Sequence, residues 1–219
     1  MSLLSHQDQQ HQWQTALSDQ YSRTGWGGRI ADHLAPEPLP AVVSISGNQL
    51  FTIGDSTGPL ALPGAGGSFG LNGFDGSAAA VARLQAFDHL RMAQESNLLV
   101  TATQSQTTSA VAASELVSPV LAGTSSTVDA LFNTLSPPDP CTGKVQLTAF
   151  ARQLLQVARM IEARKMLGVG RQIFFVSLGG FDTHNDQLDR QSTLFRELSP
   201  ALKAFFDATV QLGVASQVT

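Results

Sequence analysis

Arg171-Gln-Ile-Phe-Phe-Val-Ser-Leu-Gly-Gly-Phe-Asp-Thr-His184 is a short apolar run closed by two glycines and followed at once by an acid and an imidazole. Ile173 to Leu178 is too short for a buried helix and rich in β-branched and aromatic residues. It therefore reads as a strand buried on both faces, of the kind found inside parallel sheets. Gly179-Gly180 ends it. In open α/β sheets, ligands bind in the crevice beyond the carboxyl ends of the strands, and Asp182 and His184 fall in that position.

Working outward, Leu147, Phe150, Leu154, Val157, Ala158 and Ile161 recur on one face of a helix that ends near Leu167-Gly168. Beyond the strand, Leu194, Leu198, Leu202, Phe205, Phe206 and Thr209 trace a second amphipathic helix. Helix, strand, helix in this order favours a layered α/β fold. Upstream, Ser136-Pro-Pro-Asp-Pro-Cys-Thr-Gly143 is a breaker and marks the internal boundary, between a 1–135 part and a 144–219 helix-strand-helix unit. Thr124 to Phe132 reads as a short helix, Leu98 to Leu121 as a longer one of weak propensity, and Ser77 as the cap of a helix running to about Glu95. Gly64 to Gly76 departs from the dinucleotide fingerprint at Phe69 and has no P-loop lysine, so it reads as a surface loop. Ala41–Ser46 and Gln49–Ile53 flank Gly47-Asn48, a favourable turn pair, and suggest a small β-hairpin excursion from the main sheet. The residues from Ser5 to Leu17 suit a polar surface helix anchored by Trp13.

The composition narrows the function classes. The 219 residues are 42% hydrophobic and 14% charged, with a net charge of -4 and a pI near 5.6, which argues against a general nucleic-acid surface. A small-molecule or carbohydrate ester partner is easier to accommodate. Cys141 is the only cysteine, so neither an intrachain disulfide nor a thiolate metal cluster is available. No run approaches the roughly 18 apolar residues of a membrane span. Met1 to His6 lacks the basic and apolar regions of a signal peptide. The final stretch, Leu212 to Thr219, resembles the exit from a helix into a new strand, as expected of an internal fragment.

Asp182 and His184, separated by one residue, allow an oxygen and a nitrogen to converge on one point, a suitable pair of ligands for zinc or a similar divalent ion. The competing reading is that Asp182 or Asn185 caps the following helix and His184 is a surface residue. His6 and Asp8, with His11 about one helical turn from His6, form a second polar group, but Gln10 stands where an i, i+4 histidine pair would need its partner. Ser5, Ser44 and Ser177 lack a nucleophile elbow, so a serine hydrolase is not expected.

Four segments together resemble a known family. Ser5-His6-x-Asp8-Gln9-Gln10-x-x-Trp13, Gly25-Trp26-x-Gly28-Arg29, Ser44-Ile45-Ser46-Gly47 and the 171–184 stretch look like the bacterial family called domain of unknown function 1501, related to the alkaline phosphatase and sulfatase superfamily. The resemblance implies a partial three-layer α/β/α sandwich with a mainly parallel sheet, in which residues 1–219 form a single partial alkaline-phosphatase-like domain. It also implies a divalent metal (zinc, calcium or manganese) near Asp182 and His184, hydrolysis of phosphate or sulfate esters, and a periplasmic or exported location. Family members continue beyond the region matched here at both ends, so the chain corresponds to their middle. The alternative is a non-catalytic surface or binding protein that keeps the fold with an incomplete site.

Overall fold

The computed structural model describes residues 5–71, 73–74, 76–94, 96–122 and 127–219. They form two compact units: residues 5–67 together with 127–219, and the described residues between 68 and 122. The architecture is mixed α/β, with a small open sheet of three parallel strands in the first unit.

The central strand is β1 (Val42–Ser44), flanked by β2 (Leu60–Ala61) and β3 (Ile173–Phe175). Val42 and Val43 are β-branched and fully buried, as suits a strand covered on both faces. Val42 pairs with Ile173 and Ser44 with Phe175, and the ladder is extended by bonds from Ile173 N–H to Ala41 O and from Ile45 N–H to Phe175 O. The expected hairpin is therefore absent. Gly47 does turn, at φ +71, but residues Leu50–Thr52 close a 3-10 turn in which Thr52 N–H and Oγ1 both donate to Gln49 O. That turn places Phe51 edge-on to Trp26, with ring centroids 4.6 Å apart. Strand β1 belongs to the main sheet because its partners are far along the chain, where a local turn signal carries no information. A second correction concerns β3, which lies at the sheet edge with only Phe175 buried, and is not covered on both faces.

Helices α1 (His6–Thr15) and α2 (Trp26–Ala31) precede the sheet in sequence. Asp32, just after α2, fixes the next loop: its carboxylate accepts from the backbone N–H groups of Asp55, Ser56 and Thr57 and from the hydroxyls of Ser56 and Thr57. The Asp55 N–H is the largest of the causes that hold this carboxyl far below the ordinary carboxylate range. A depressed folded-state pKa gives stability that is complete above the unfolded pKa of about 4 and is lost as pH falls toward the folded value. The stability difference between wild type and Asp32→Asn should accordingly be constant from pH 7 to 5 and shrink below about pH 4, a trend readable in parallel thermal melts. A gap that stayed constant down to pH 2 would contradict it.

Beyond residue 126 come α5 (Asp129–Asn133), α6 (Ala149–Glu162), the short α7 (Arg164–Leu167) and α8 (Gln187–Gln211). Thr148 caps α6 by accepting from Ala151 N–H at 3.2 Å, and Gly168 ends α7 in the left-handed region. The expected apolar face of α6 is buried at Phe150, Leu154, Val157 and Ala158, joined by Leu155 and Met160. On α8 the outcome differs. Leu202 and Phe206 are exposed, and the buried face is Ala201, Ala204, Ala208 and Thr209. Small residues let α6 and α8 approach closely, and Val128 and Phe132 complete the core they share. Arg159 of α6 reaches Asp129 of α5 through two parallel bonds of 2.9 and 2.6 Å. The breaker at 136–143 turns on Asp139, which accepts from Cys141 and Thr142, and the helices on either side of it lie in the same unit.

The second unit holds two helices, α3 (Ala78–Met92) and α4 (Leu98–Ala122). Ser77 caps α3 as expected, by accepting from Ala80 N–H at 3.3 Å. The expected ends at Glu95 and Thr124 lie outside the described residues.

Candidate functional site

Strands β1 and β3 run parallel in register, so the residues just past their carboxyl ends emerge side by side. Ser46 Oγ and Ser177 Oγ meet there at 2.5 Å. Gln153 of α6 holds the exit of β3 with both ends of its amide: its Oε1 accepts from Ser177 N–H at 2.9 Å, and its Nε2 donates to Ser177 O at 3.0 Å. The chain then bends at Gly180, whose φ of +95 an L side chain rarely adopts. Thr183 N–H closes a turn on Phe181 O at 3.0 Å, and Phe181 rests on Phe195 of α8 with centroids 5.8 Å apart. This turn presents Asp182 and His184.

Helix α1 reaches the same place from the other end of the chain. Trp13 stacks on Phe51 at 6.0 Å and meets Phe175 of β3 edge-on at 6.5 Å, which fixes the helix beside the strand. Seven residues of helix, about 10 Å, carry the chain back to His6, where Ser5 caps the helix by accepting from Asp8 N–H. His6 Nδ1 stands 3.2 Å from Asp182 Oδ2, and His184 Nε2 stands 3.0 Å from the same oxygen. The two imidazole rings are nearly parallel, with an interplanar angle of 6° and centroids 6.5 Å apart. All three side chains are open to solvent.

Asp182 and His184 are thus brought together as their spacing suggests, and His6 joins them. Neither Asp182 nor Asn185 caps α8, whose N-cap is Asp186 in a left-handed conformation without a side-chain cap. His11 faces elsewhere, with its ring on Tyr21 at 4.3 Å and Nε2 2.9 Å from Ser22 O. Ser44 Oγ donates to Gly47 O inside the sheet turn. The pairing of His6 with Asp182 spans nearly the whole chain, and the sequence, which grouped His6 with Asp8 and His11, carries no local signal for it.

One carboxylate and two imidazoles are the donor chemistry of zinc and related ions. A tetrahedral zinc with bonds of about 2.0–2.2 Å separates its donor atoms by roughly 3.3–3.5 Å, close to the two nitrogen–oxygen distances seen here. The arrangement is the shortfall: three such side chains meet here, yet among the described residues no group of three or more His, Cys, Asp or Glu side chains is placed to hold a metal ion. As placed, the nitrogens address Asp182 itself. A cavity of about 540 Å³ in this unit lies along the outer edge of β3, lined by Trp26, Phe51, Leu154, Ile161 and Phe205. Its walls are mostly apolar, with Arg164, Gln172 and Gln217 among the polar exceptions, and none of His6, Asp182 and His184 lines it, so the cluster is an open surface site and not the floor of that cavity.

Compared with protein-family models, with curated proteins and with solved structures, the chain matches none of them. No helix among the described residues is long and apolar enough to cross a membrane.

Proposed function

We propose that the His6–Asp182–His184 cluster is one side of a divalent-metal site in a hydrolase-like protein acting on phosphate or sulfate esters, in a fold of the alkaline phosphatase and sulfatase type whose three layers this chain contributes in part. The observation that carries it is the convergence of two imidazole nitrogens on one carboxylate oxygen at 3.2 and 3.0 Å, beyond the carboxyl end of a parallel strand. The resemblance of the 5–13 and 171–184 segments to domain of unknown function 1501 supplies the substrate class.

In that role Asp182 is the anionic ligand and His184 a neutral nitrogen ligand or a contact to the substrate anion, with His6 as the added donor. A bound divalent ion would supply Lewis acidity toward the ester and lower the pKa of water. The chain's own contribution is orientation. The turn after Gly180 and the start of α1 hold the carboxylate and both rings facing one point. His184 faces Asp182 with Nε2 and His6 with Nδ1, so these two nitrogens and the carboxylate oxygen are the atoms that would hold the ion together.

Hydrolysis of aryl phosphate and aryl sulfate esters, measured with and without zinc, manganese or calcium, tests the proposal. Metal-dependent turnover that falls at least a hundredfold in Asp182→Asn, an order set by the loss of a ligand-orienting carboxylate, is the expected result. The absence of turnover with every metal would favour a second reading, a binding protein that keeps the fold without the chemistry. The observation in favour of that alternative is that no group of three or more such side chains among the described residues is placed to hold an ion.

A further inference from the structure

The three side chains of the cluster arrive by two routes that both start from β3. His6 comes through α1, whose Trp13 meets Phe175 edge-on at 6.5 Å. Asp182 and His184 come through the turn that follows the strand. The 3.2 Å between His6 and Asp182 therefore depends on how the chain leaves β3. Asp182 and His184, with one residue between them, carry their own spacing.

The exit of β3 is held in an unusual way. The ladder between β1 and β3 reaches the bond from Ile45 N–H to Phe175 O at 2.9 Å. In a parallel ladder the next link would run from Ser177 N–H back to the first strand. Gln153 of α6 takes that link instead: its Oε1 accepts from Ser177 N–H at 2.9 Å and its Nε2 donates to Ser177 O at 3.0 Å. One side-chain amide thus pairs with both backbone groups of a residue, as a residue on a neighbouring strand would. Its helix is a firm anchor, because the next two residues, Leu154 and Leu155, are buried in the core.

The other holds on this stretch are of a different kind. Ser46 meets only the side chain of Ser177, hydroxyl to hydroxyl. Leu178 rests against the core and Phe181 against Phe195. Apolar contacts are non-directional, and a Cβ on Gly179 would meet nothing within 4 Å. They set how deep the turn lies and not where it heads. Hydrogen bonds weaken steeply as they bend, so two of them on one residue fix a heading.

We infer that Gln153 is a positioning residue for the cluster: by fixing the backbone of Ser177 it holds Asp182 within reach of His6, and it leaves the Asp182–His184 spacing untouched. Its effect on metal affinity rests on the proposed metal site, whereas the geometry it maintains exists without an ion.

Gln153→Met keeps the side chain's length and helix propensity and removes both bonds. In zinc titrations it should weaken binding about tenfold, the lower end for partners that orient metal ligands. That loss should vanish when His6 is already Ala and persist when His184 is Ala, a pattern that a general loosening of the fold does not give. In the metal-free protein, His184→Ala should shift the ring-proton resonances of His6, whose ring lies nearly parallel to that of His184 at 6.5 Å. In the Gln153→Met background that shift should be absent. Unchanged zinc affinity in Gln153→Met, an equal loss in both histidine backgrounds, or a His6 shift that survives the substitution would each overturn the inference. If the wild type binds no zinc, the metal reading fails and the His6 resonances alone decide the role of Gln153.

Discussion

Gly28→Ala is expected to remove most of the stability of the unit that carries the site. A Cβ on Gly28 would stand 2.1 Å from the carbonyl carbon of Ile53 and 2.3 Å from the nitrogen of Gly54. Both are backbone atoms, so no rotamer change relieves the overlap, and α2 must lift away from the 50–54 segment by more than an ångström. That movement breaks the bond from Gly25 N–H to Ile53 O, now 2.8 Å, and carries Asp32 away from the loop it fixes. Overpacking of a yielding site costs about 1–3 kcal/mol, and a backbone overlap lies at or beyond the top of that range. Against a total of about 5–15 kcal/mol, the variant should show a lower denaturant midpoint and rapid proteolysis near residue 54. A midpoint indistinguishable from wild type would mean that α2 and the 50–54 segment do not pack as described.

The second large effect lies in the core. Asp129 and Arg159 are 13 and 11% exposed and share the paired bonds described above, a fork geometry that satisfies both groups. Removing Arg159 takes both of these bonds from a largely buried carboxylate, so Arg159→Ala should cost about 3 kcal/mol. The double variant Arg159→Met with Asp129→Leu should recover most of that loss, because two apolar side chains remove both desolvation penalties together. Additive losses in the double variant would show that the packing of the arginine stem, and not its charge, carries the effect.

Much of the fold was legible where periodicity is strong. The α6 face, the α1 anchor at Trp13, the Ser77 cap and the position of β3 all follow from patterns contained within a single element. What was not legible depended on distant partners. Gly47-Asn48 carries a local hairpin signal, but β1 takes Leu60 and Phe174 as neighbours of Val43 across the sheet, and no short-range feature encodes that choice. On α8 the large residues drew attention to Leu202 and Phe206, yet the buried face is built from alanines because α6 passes so close. At the site, Asp182 and His184 could be picked out because acid and imidazole follow a glycine-terminated strand. His6 could not be joined to them without the tertiary contact between Trp13 and Phe175 that aligns α1 with β3. Gln153 was invisible for the same reason, as a polar residue on α6 that acts only when β3 lies beside it.

The most direct test is calorimetric titration of the intact protein with zinc, alongside Asp182→Asn and His6→Ala. If the cluster is a metal site, wild type binds one ion per chain. Asp182→Asn then binds none, and His6→Ala binds at least tenfold more weakly, while both variants keep the wild-type melting temperature. Zinc binding of equal stoichiometry and affinity in all three proteins, or no binding to the wild type, would contradict a metal role for His6, Asp182 and His184.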